Sequence, residues 1–392
     1  MKRVFVCCSD PFPFGTANSN YIRNFAKCLY KAGFSVIVIG IGNNREIDCH
    51  GDHYSYCGIK YYNVDISLKG PTNFMKAELF AGREMKKILN QYDVKSSDYI
   101  CLYSSLFSVI HTVLKTVSQQ NIISVEVEWL QPFQYQKGKM DPMYIIWNTA
   151  FKYKLSHLKN FIPISSTLKK MMEGKGKKTL LLPVMTDSNE IAFNSSSSVR
   201  NSGVLNLIYS GAATNKDSFP CMLGGLAKLS DEELKKIRLH LTSLTEEKLR
   251  ETMSKHLDLL DRVSPYIIYH GWLEYQELLE LYSKMDFTLL AREENLATLS
   301  NFPSKIPELM AFGVIPLCSS VGDYTHLYLT NGVDSIQFCK DSAEDCNRAL
   351  KQALSLSDQE IVQMKNSARL CVENRFDYEN WTEKVRKFIL EG

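Results

Sequence analysis

No stretch of about 20 uninterrupted apolar residues, the length that a membrane-crossing helix needs, occurs in this chain. The most apolar segment, 99–114, is broken by serines and by His111. The opening run MKRVFVCCSD stops at Asp10 and Pro11. It is too short for a signal-peptide core and carries no small-residue cleavage site, so it predicts a buried strand. Cysteines at metal or redox spacing are missing as well: there is no CxxC among the 11 cysteines, and only Cys7 and Cys8 are neighbours. An odd number of scattered thiols predicts reduced, mostly buried cysteines and a cytoplasmic protein. No GxGxxG is present, which argues against a dinucleotide dehydrogenase. The eight histidines do not cluster, and no repeat of solenoid length appears.

What is there has the balance of a globular protein. The chain has 392 residues, 45% apolar and 23% charged, a length that suits two domains of roughly 150 to 200 residues each. The net charge of +3 hides an asymmetry. Residues 1–186 hold 24 Lys and Arg against 13 Asp and Glu, whereas 187–392 hold 22 against 30. The basic excess is densest over 152–178, with Lys152, Lys154, Lys159, Lys169, Lys170, Lys175, Lys177 and Lys178. A basic half attracts an anionic membrane face, a lipid diphosphate or nucleic acid; an ordinary solvated lysine-rich surface accounts for it equally well. No stacking-aromatic or recognition-helix pattern accompanies the lysines, so nucleic acid is not an expected partner.

Along the first half, strand-like runs alternate with helix-like ones. A strand over 4–8 precedes the turn-rich DPFPFGTANSN, a helix over 21–32 closed by Gly33, and the strand FSVIVIGI. Further strands are predicted at 59–64, ICLYSS, NIISVEVEW and FIPIS, with helices over 73–89, 107–117 and 166–172 between them. Residues 188–203 carry a serine run and no periodicity and read as a linker. A second cycle follows. Its strands are VLNLIYSG, IRLHLTS, YIIYHG, DFTLLA and VIPLCSS; its helices fall near 219–229, 246–257, 274–284 and 303–312. Strands alternating with helices imply parallel sheets covered on both faces. In the final segment, 378–390, Trp381, Val385 and Phe388 recur at helical spacing.

Two places carry chemistry. The turn at 10–20 lies between a strand and a helix, where open α/β sheets bind ligands and free helix N–H groups face anions. There Gly15 removes a side chain where a backbone must come close, and Thr16 and Ser19 suit a helix cap. The second is REENLATLSNFPSKIPELMAFG, over 292–313. Ser300 or Asn301 suits an N-cap, Pro303 the first turn, and Gly313 the position past the end. Lys305 and Glu308, three apart, share a face. A cation beside exposed N–H groups suits a diphosphate, and a carboxylate one turn on accepts both hydroxyls of a ribose. An ordinary surface Lys–Glu pair explains the same two residues. Glu126 and Glu128, in VEVEWLQPF, sit two apart on one face of a strand, suited to acceptor hydroxyls or to salt bridges with the lysines. Trp272, after Gly271, reads as a core aromatic as readily as a ligand contact.

The order of these features resembles the GT-B glycosyltransferases of the GT4 type, also called group 1, over nearly the whole chain. PFPFGTANSNYIRNFAKCLYKAGFSVIVI is similar to the family's first turn, helix and second strand, and ISSTLKKMMEGKGKKTLLLPVMTD to the approach to its domain boundary. IYSGAATNKDSF, YHGWLEYQELLELYSKMDFTLLAR, NFPSKIPELMAFGVIPLC and VGDYTHLYLTNGVDSI then follow in the family's order. The resemblance implies an α/β protein of two Rossmann-like domains facing each other across a cleft. Residues 1–187 form an acceptor-side domain, 188–203 a linker and 204–376 a nucleotide-sugar-binding domain, with a C-terminal helix at 377–392 packing back on the first domain.

It also implies site residues. In the family a Glu-x7-Glu pair binds the donor; Glu308 matches the second position, which holds the ribose, while the first falls on Ser300. Ala212 stands where many members have an arginine after the glycine matching Gly211, whereas Lys216 is retained. Lys216, Arg292 and Lys305, with the helix end near Asn301, are then the groups expected to converge on the departing diphosphate, with Gly15, Thr16 and Gly211 also on the donor side. No Asp-x-Asp motif of the metal-dependent transferases is present, so neither metal nor cofactor is expected. The implied activity is retaining transfer from a nucleotide sugar to a glycan, lipid-linked or protein-linked acceptor. The basic excess of the first half adds, as a separate expectation, peripheral contact with the inner face of an anionic membrane. Ser300 and Ala212 motivate a second reading, a transferase-like subunit that binds without turning over. A sugar-nucleotide epimerase shares the architecture but ordinarily uses several cleft histidines.

Overall fold

The computed structural model describes residues 2–42, 49–50, 53–68, 70–191, 203–213, 216–339 and 341–391. The chain divides into two compact units, 1–185 with 378–392 and 186–377. In the first unit the described strands are β1 Arg3–Cys8, β2 Ser35–Ile41, β3 Cys49–His50, β4 His53–Tyr56, β5 Ile59–Val64, β6 Tyr99–Tyr103, β7 Ile122–Glu126, β8 Asn160–Pro163 and β9 Lys178–Thr179. They form one sheet in the order β3-β4-β5-β2-β1-β6-β7-β8-β9. Pairing is parallel from β5 to β9, while β3, β4 and β5 form an antiparallel meander at one edge. That meander did not show as a parallel-sheet pattern because a hairpin edge needs no helical crossover.

In the second unit β10 Leu205–Ser210, β11 Ile237–Thr242, β12 Ile267–Gly271, β13 Phe287–Leu290, β14 Ile315–Ser319 and β15 Ile336–Phe338 are all parallel, in the order β12-β11-β10-β13-β14-β15. Central strands such as β1, β6 and β14 are buried almost throughout, as strands covered on both faces must be. In each sheet the strand order reverses beside its first central strand, between β1 and β6 and between β10 and β13. Crevices at the carboxyl ends of such strands are where open α/β sheets take ligands.

The boundaries differ from expectation in physically simple ways. Ser188–Glu190, expected to open the linker, forms a turn tied into the second unit. Asp377 accepts from the Ser188 N–H (2.9 Å) and hydroxyl (2.5 Å), and the Arg369 guanidinium donates to the Ser188 carbonyl. The rest of the expected linker, 192–202, lies outside the described residues. The terminal segment leaves the second unit at Tyr378. Its helix Thr382–Leu390 packs on the helix Ala17–Lys31, with Arg386 donating to the Ala32 carbonyl at 2.6 Å and Lys31 paired to Glu379 at 3.0 Å. The helix expected over 246–257 is two, Glu246–Thr252 and Leu257–Val263.

The stretch 292–313 also resolves into two helices. Leu296–Leu299 is capped by Asn295, whose side chain accepts from the Ala297 and Thr298 N–H groups, and Ser300 closes this helix instead of opening the next. Lys305–Ala311 begins after Pro303. Neither Ser300 nor Asn301 is therefore its N-cap. The asparagine won because its side chain reached the free N–H groups five residues earlier.

Of the ten cysteines whose side chains are described, all unbridged, eight are buried and Cys57 and Cys339 exposed. Among the described residues no helix is long and apolar enough to cross a membrane.

Candidate functional site

In the second unit two cation–carboxylate pairs flank the end of β10. Arg292, directly beyond β13, is buried, and its Nε donates to Asp217 Oδ1 at 2.9 Å. The other oxygen of Asp217 accepts from the Tyr209 hydroxyl at 2.8 Å, and Arg292 Nη1 donates to Asn301 Oδ1 at 3.1 Å. Ser319, at the end of β14, accepts the Arg292 N–H at 2.7 Å and donates its hydroxyl to the Arg292 carbonyl. Burial by itself would lower the basicity of this guanidinium; the Asp217 charge outweighs it and raises it. Burial, helped by the same Asp217 carboxylate, pushes the Tyr209 phenol up.

The second pair is Lys305 with Glu308, at 2.9 Å. The Tyr282 hydroxyl lies 2.5 Å from that of Ser210, to which Thr242 donates at 3.2 Å. Burial pushes the Tyr282 phenol up to about 12, against the opposing pull of Lys305. For Lys305, burial acts downward and is outweighed by Glu308 and Tyr282, so the ammonium is raised and stays charged at neutral pH. A quarter of its side chain (26%) remains exposed, so a ligand can reach it. Tyr209 and Ser210 are consecutive in β10 and point to opposite faces. One anchors the Arg292 pair and the other stands beside Tyr282, so the two pairs lie on opposite sides of the strand end that Gly211 continues. Gly211 has φ +147°, a conformation that favours glycine, and among the described residues only Tyr209 Oη comes within 4.0 Å of where a Cβ would stand.

The expected residues differ in what surrounds them. Arg292 is held by Asp217 in a buried pair and is not an open positive charge. Ser300 is fully buried and donates to the Ala297 carbonyl at 3.3 Å, so its hydroxyl turns back into its own helix. Asn301 serves Arg292, not a helix end. Lys216 is half-buried beside Asp217 in sequence, and its neighbours Thr214 and Asn215 lie outside the described residues. Asp217, Tyr282, Ser210 and Thr242 escaped the sequence reading; an acid next to the retained lysine was the one available signal.

In the first unit a pocket of about 160 Å³ opens at the carboxyl ends of β1, β6 and β7, lined among others by Asp10, Tyr103, Glu126, Glu128, Trp147 and Lys154. Glu126 and Glu128 thus share one site, although β7 ends at Glu126 and Glu128 lies beyond it. Glu126 is buried against Lys154 at 2.5 Å and accepts from Ser124 Oγ at 2.6 Å, while Lys154 also donates to the Ser104 carbonyl. Lys154, counted in the basic stretch, is therefore an interior residue. Asp10 accepts from Thr16 Oγ1 at 2.9 Å and Asn18 Nδ2 at 3.2 Å; burial raises its carboxyl despite these two donors.

Thr16 caps the helix Ala17–Lys31 in a reciprocal box with Ser19. A Cβ on Gly15 would meet Pro11 Cγ at 2.7 Å, so the glycine lets the turn close on Pro11. Both residues shape the turn that holds Asp10. Glycine 271 ends β12, and Trp272 is 75% exposed, so it is not a core aromatic. Among the described residues no three His, Cys, Asp or Glu side chains are grouped to hold a metal ion.

Solved structures match this arrangement over its full length. HepE from Anabaena, in complex with UDP and glucose, superposes with a TM-score of 0.69 at 10% identity, covering 100% of both chains. The sucrose-phosphate synthase of Thermosynechococcus elongatus gives 0.71 at 12%, covering 100% of this chain and 99% of the other. The fold is that of the GT-B glycosyltransferases. WaaG, a glycosyltransferase involved in lipopolysaccharide biosynthesis, shares the GT-B fold at 15% identity, with a TM-score of 0.68 and coverage of 99% and 100%. No protein-family model matches the chain, and no curated protein matches its sequence.

Proposed function

We propose that the chain is a GT4-like, retaining glycosyltransferase that moves a sugar from a nucleoside-diphosphate sugar to a glycan, lipid-linked or protein-linked acceptor without a metal. The observation that carries the reading is the reachable Lys305–Glu308 pair, which acts on the Tyr282 hydroxyl that meets Ser210 at the carboxyl end of β10, where the sheet turns its strand order. Glu308 takes the ribose hydroxyls. Lys305, kept charged by its neighbours, and Lys216 balance the negative charge that grows on the diphosphate as the sugar–phosphate bond breaks. Fixed cations do this better than water because they need no reorientation during the step. The acceptor oxygen bonds to the anomeric carbon on the face the diphosphate leaves, and its proton passes to a leaving phosphate oxygen, which preserves configuration. Arg292 holds Asp217 in place. In the first unit Asp10 and Glu128 receive acceptor hydroxyls, and the buried Glu126–Lys154 pair shapes the floor. The reading places the enzyme in the cytoplasm, with peripheral membrane contact.

The test is transfer of labelled sugar from a panel of uridine- and guanosine-linked donors, with chelator present. Lys305→Ala and Glu308→Ala are expected to lower transfer by about 10²-fold or more with an unchanged circular dichroism spectrum. Wild-type turnover in both variants would sink the assignment. The buried Ser300 and the neutralised Arg292 favour one second reading, a subunit that binds donor without turnover. Calorimetric donor binding with no transfer or hydrolysis across the acceptor panel is its signature.

A further inference from the structure

The segment between Trp129 and Trp147 walls the first unit's pocket at both ends, through Leu130 and Trp147, and between them it presents apolar side chains outward. Phe133 is 55% exposed, Met140 78%, Met143 40% and Ile145 46%. Single exposed apolar residues are ordinary on a protein surface, whereas four within thirteen residues concentrate apolar surface on one short segment, the kind of concentration that marks interaction sites. Lys137 and Lys139 stand exposed among them, and Lys152 continues the exposed face of the helix Pro142–His157. Asp141, the acid of the segment, is spent as the cap of that helix, accepting from the Met143 N–H at 3.0 Å. Behind the patch Tyr135 packs on Tyr144 with ring centroids 5.6 Å apart, and Trp129 and Trp147 are both half-buried against Phe151.

We propose that residues 133–145 seat the first unit on an anionic lipid surface, the apolar side chains entering the interface and Lys137 and Lys139 meeting headgroup charge. The combination points to lipid because each ingredient suits a bilayer boundary: flexible methionines and a phenylalanine for the acyl edge, amphipathic aromatics at headgroup depth, and lysines with no unspent acid among them. Since Leu130 and Trp147 belong both to this segment's roots and to the pocket wall, docking brings the pocket to the membrane surface. Where the transferase reading holds, its acceptor is then one carried on a lipid; the docking itself does not rest on that reading.

The measurement is co-sedimentation of the full chain with sucrose-loaded vesicles, either pure phosphatidylcholine or one-third phosphatidylglycerol, at low and high salt. The wild type is expected to partition onto the anionic vesicles, less so at high salt. The variants F133S/M140S/M143S and K137E/K139E are each expected to lose at least about tenfold of that partitioning. A Lys235→Glu, Lys236→Glu variant, with the same charge change on exposed positions of the second unit, is expected to keep it. Equal partitioning of all variants overturns the proposal. So does absence of vesicle binding together with a concentration-dependent dimer that the triple serine variant abolishes, since the patch would then join two copies of the chain. Vesicle binding without sugar transfer from any donor would leave the docking standing and remove the transferase reading.

Discussion

Two buried ion pairs in the second unit have the same construction and different duties. Arg292 with Asp217 ties the chain just beyond β13 to the approach to the helix Phe219–Ala227; Lys365, whose Nζ bonds Asp286 Oδ1 at 2.8 Å and the Met285 carbonyl at 3.1 Å, fastens the helix Asp358–Cys371 to the start of β13. Removing one partner of such a pair leaves a buried charge alone and destabilises by about 3–5 kcal/mol. Lys365→Met is therefore expected to lower the urea midpoint strongly while a donor-binding assay on the remaining folded protein stays normal. Arg292→Met should lower both; unchanged donor affinity in that variant would separate Arg292 from the site.

A third residue-scale case is His240, stacked on His270 with ring centroids 5.2 Å apart and its Nδ1 2.9 Å from His270 Nε2. Burial, then the His270 charge, lowers its pKa from 6.5 to about 4. In the unfolded chain the ring takes a proton below about 6.5, so the unfolded state binds more protons in the window between the two values. Stability from this group is full above pH 6.5 and declines as pH falls toward 4, by up to about 3 kcal/mol. Urea unfolding at the two ends of that window should show the loss in the wild type and a smaller loss in His240→Phe. An identical pH slope in both would remove His240 as the cause.

At the scale of elements, the sequence pattern located most helices and strands, and the errors fell where one side chain outcompeted another. Hydrophobic periodicity placed β1, β6, β10 and β14 because a strand buried on both faces is apolar throughout. It could not place the break between Ser300 and Ser304, which depends on Asn295 capping first. Nor could it foresee the contact between the helices Pro71–Gln91 and Phe107–Leu114. Gly82 makes that contact: a Cβ there would lie 2.0 Å from the Ser108 carbonyl oxygen, a backbone atom with no freedom to give way. Gly82→Ala is expected to destabilise the first unit by about 2–3 kcal/mol or more. Gly176→Ala, open around its Cβ though at φ +70°, should cost only the milder strain of its backbone. Chemical denaturation of the two variants checks the order, and an equally mild effect at Gly82 would mean the helices part easily.

For the whole molecule, the decisive element is the last one. Residues 378–391 belong to the first unit although they follow the second in sequence, and Val385, Phe388 and Ile389 are buried there. Ending the chain after Asp377 uncovers the helix Ala17–Lys31. Hydrogen exchange is expected to accelerate in that helix while β10 to β15 keep their protection. Uniform loss of protection in both sheets would show that the segment stabilises more than its own unit.

From the sequence alone came the alternation of strand and helix, hence two α/β sheets parallel apart from the first one's hairpin edge, and the lysine and glutamate spacing of Lys305 and Glu308. Both are local properties, set by period and by distance along one helix. Tertiary structure alone decided which charges remain open to a ligand. Arg292 meets Asp217 across 75 residues and Lys154 meets Glu126 across 28, and no spacing rule encodes a partner brought in by another strand's end. An ionisable side chain takes its role from its neighbours in space, because burial and the nearest opposite charge set whether it is free to meet a substrate.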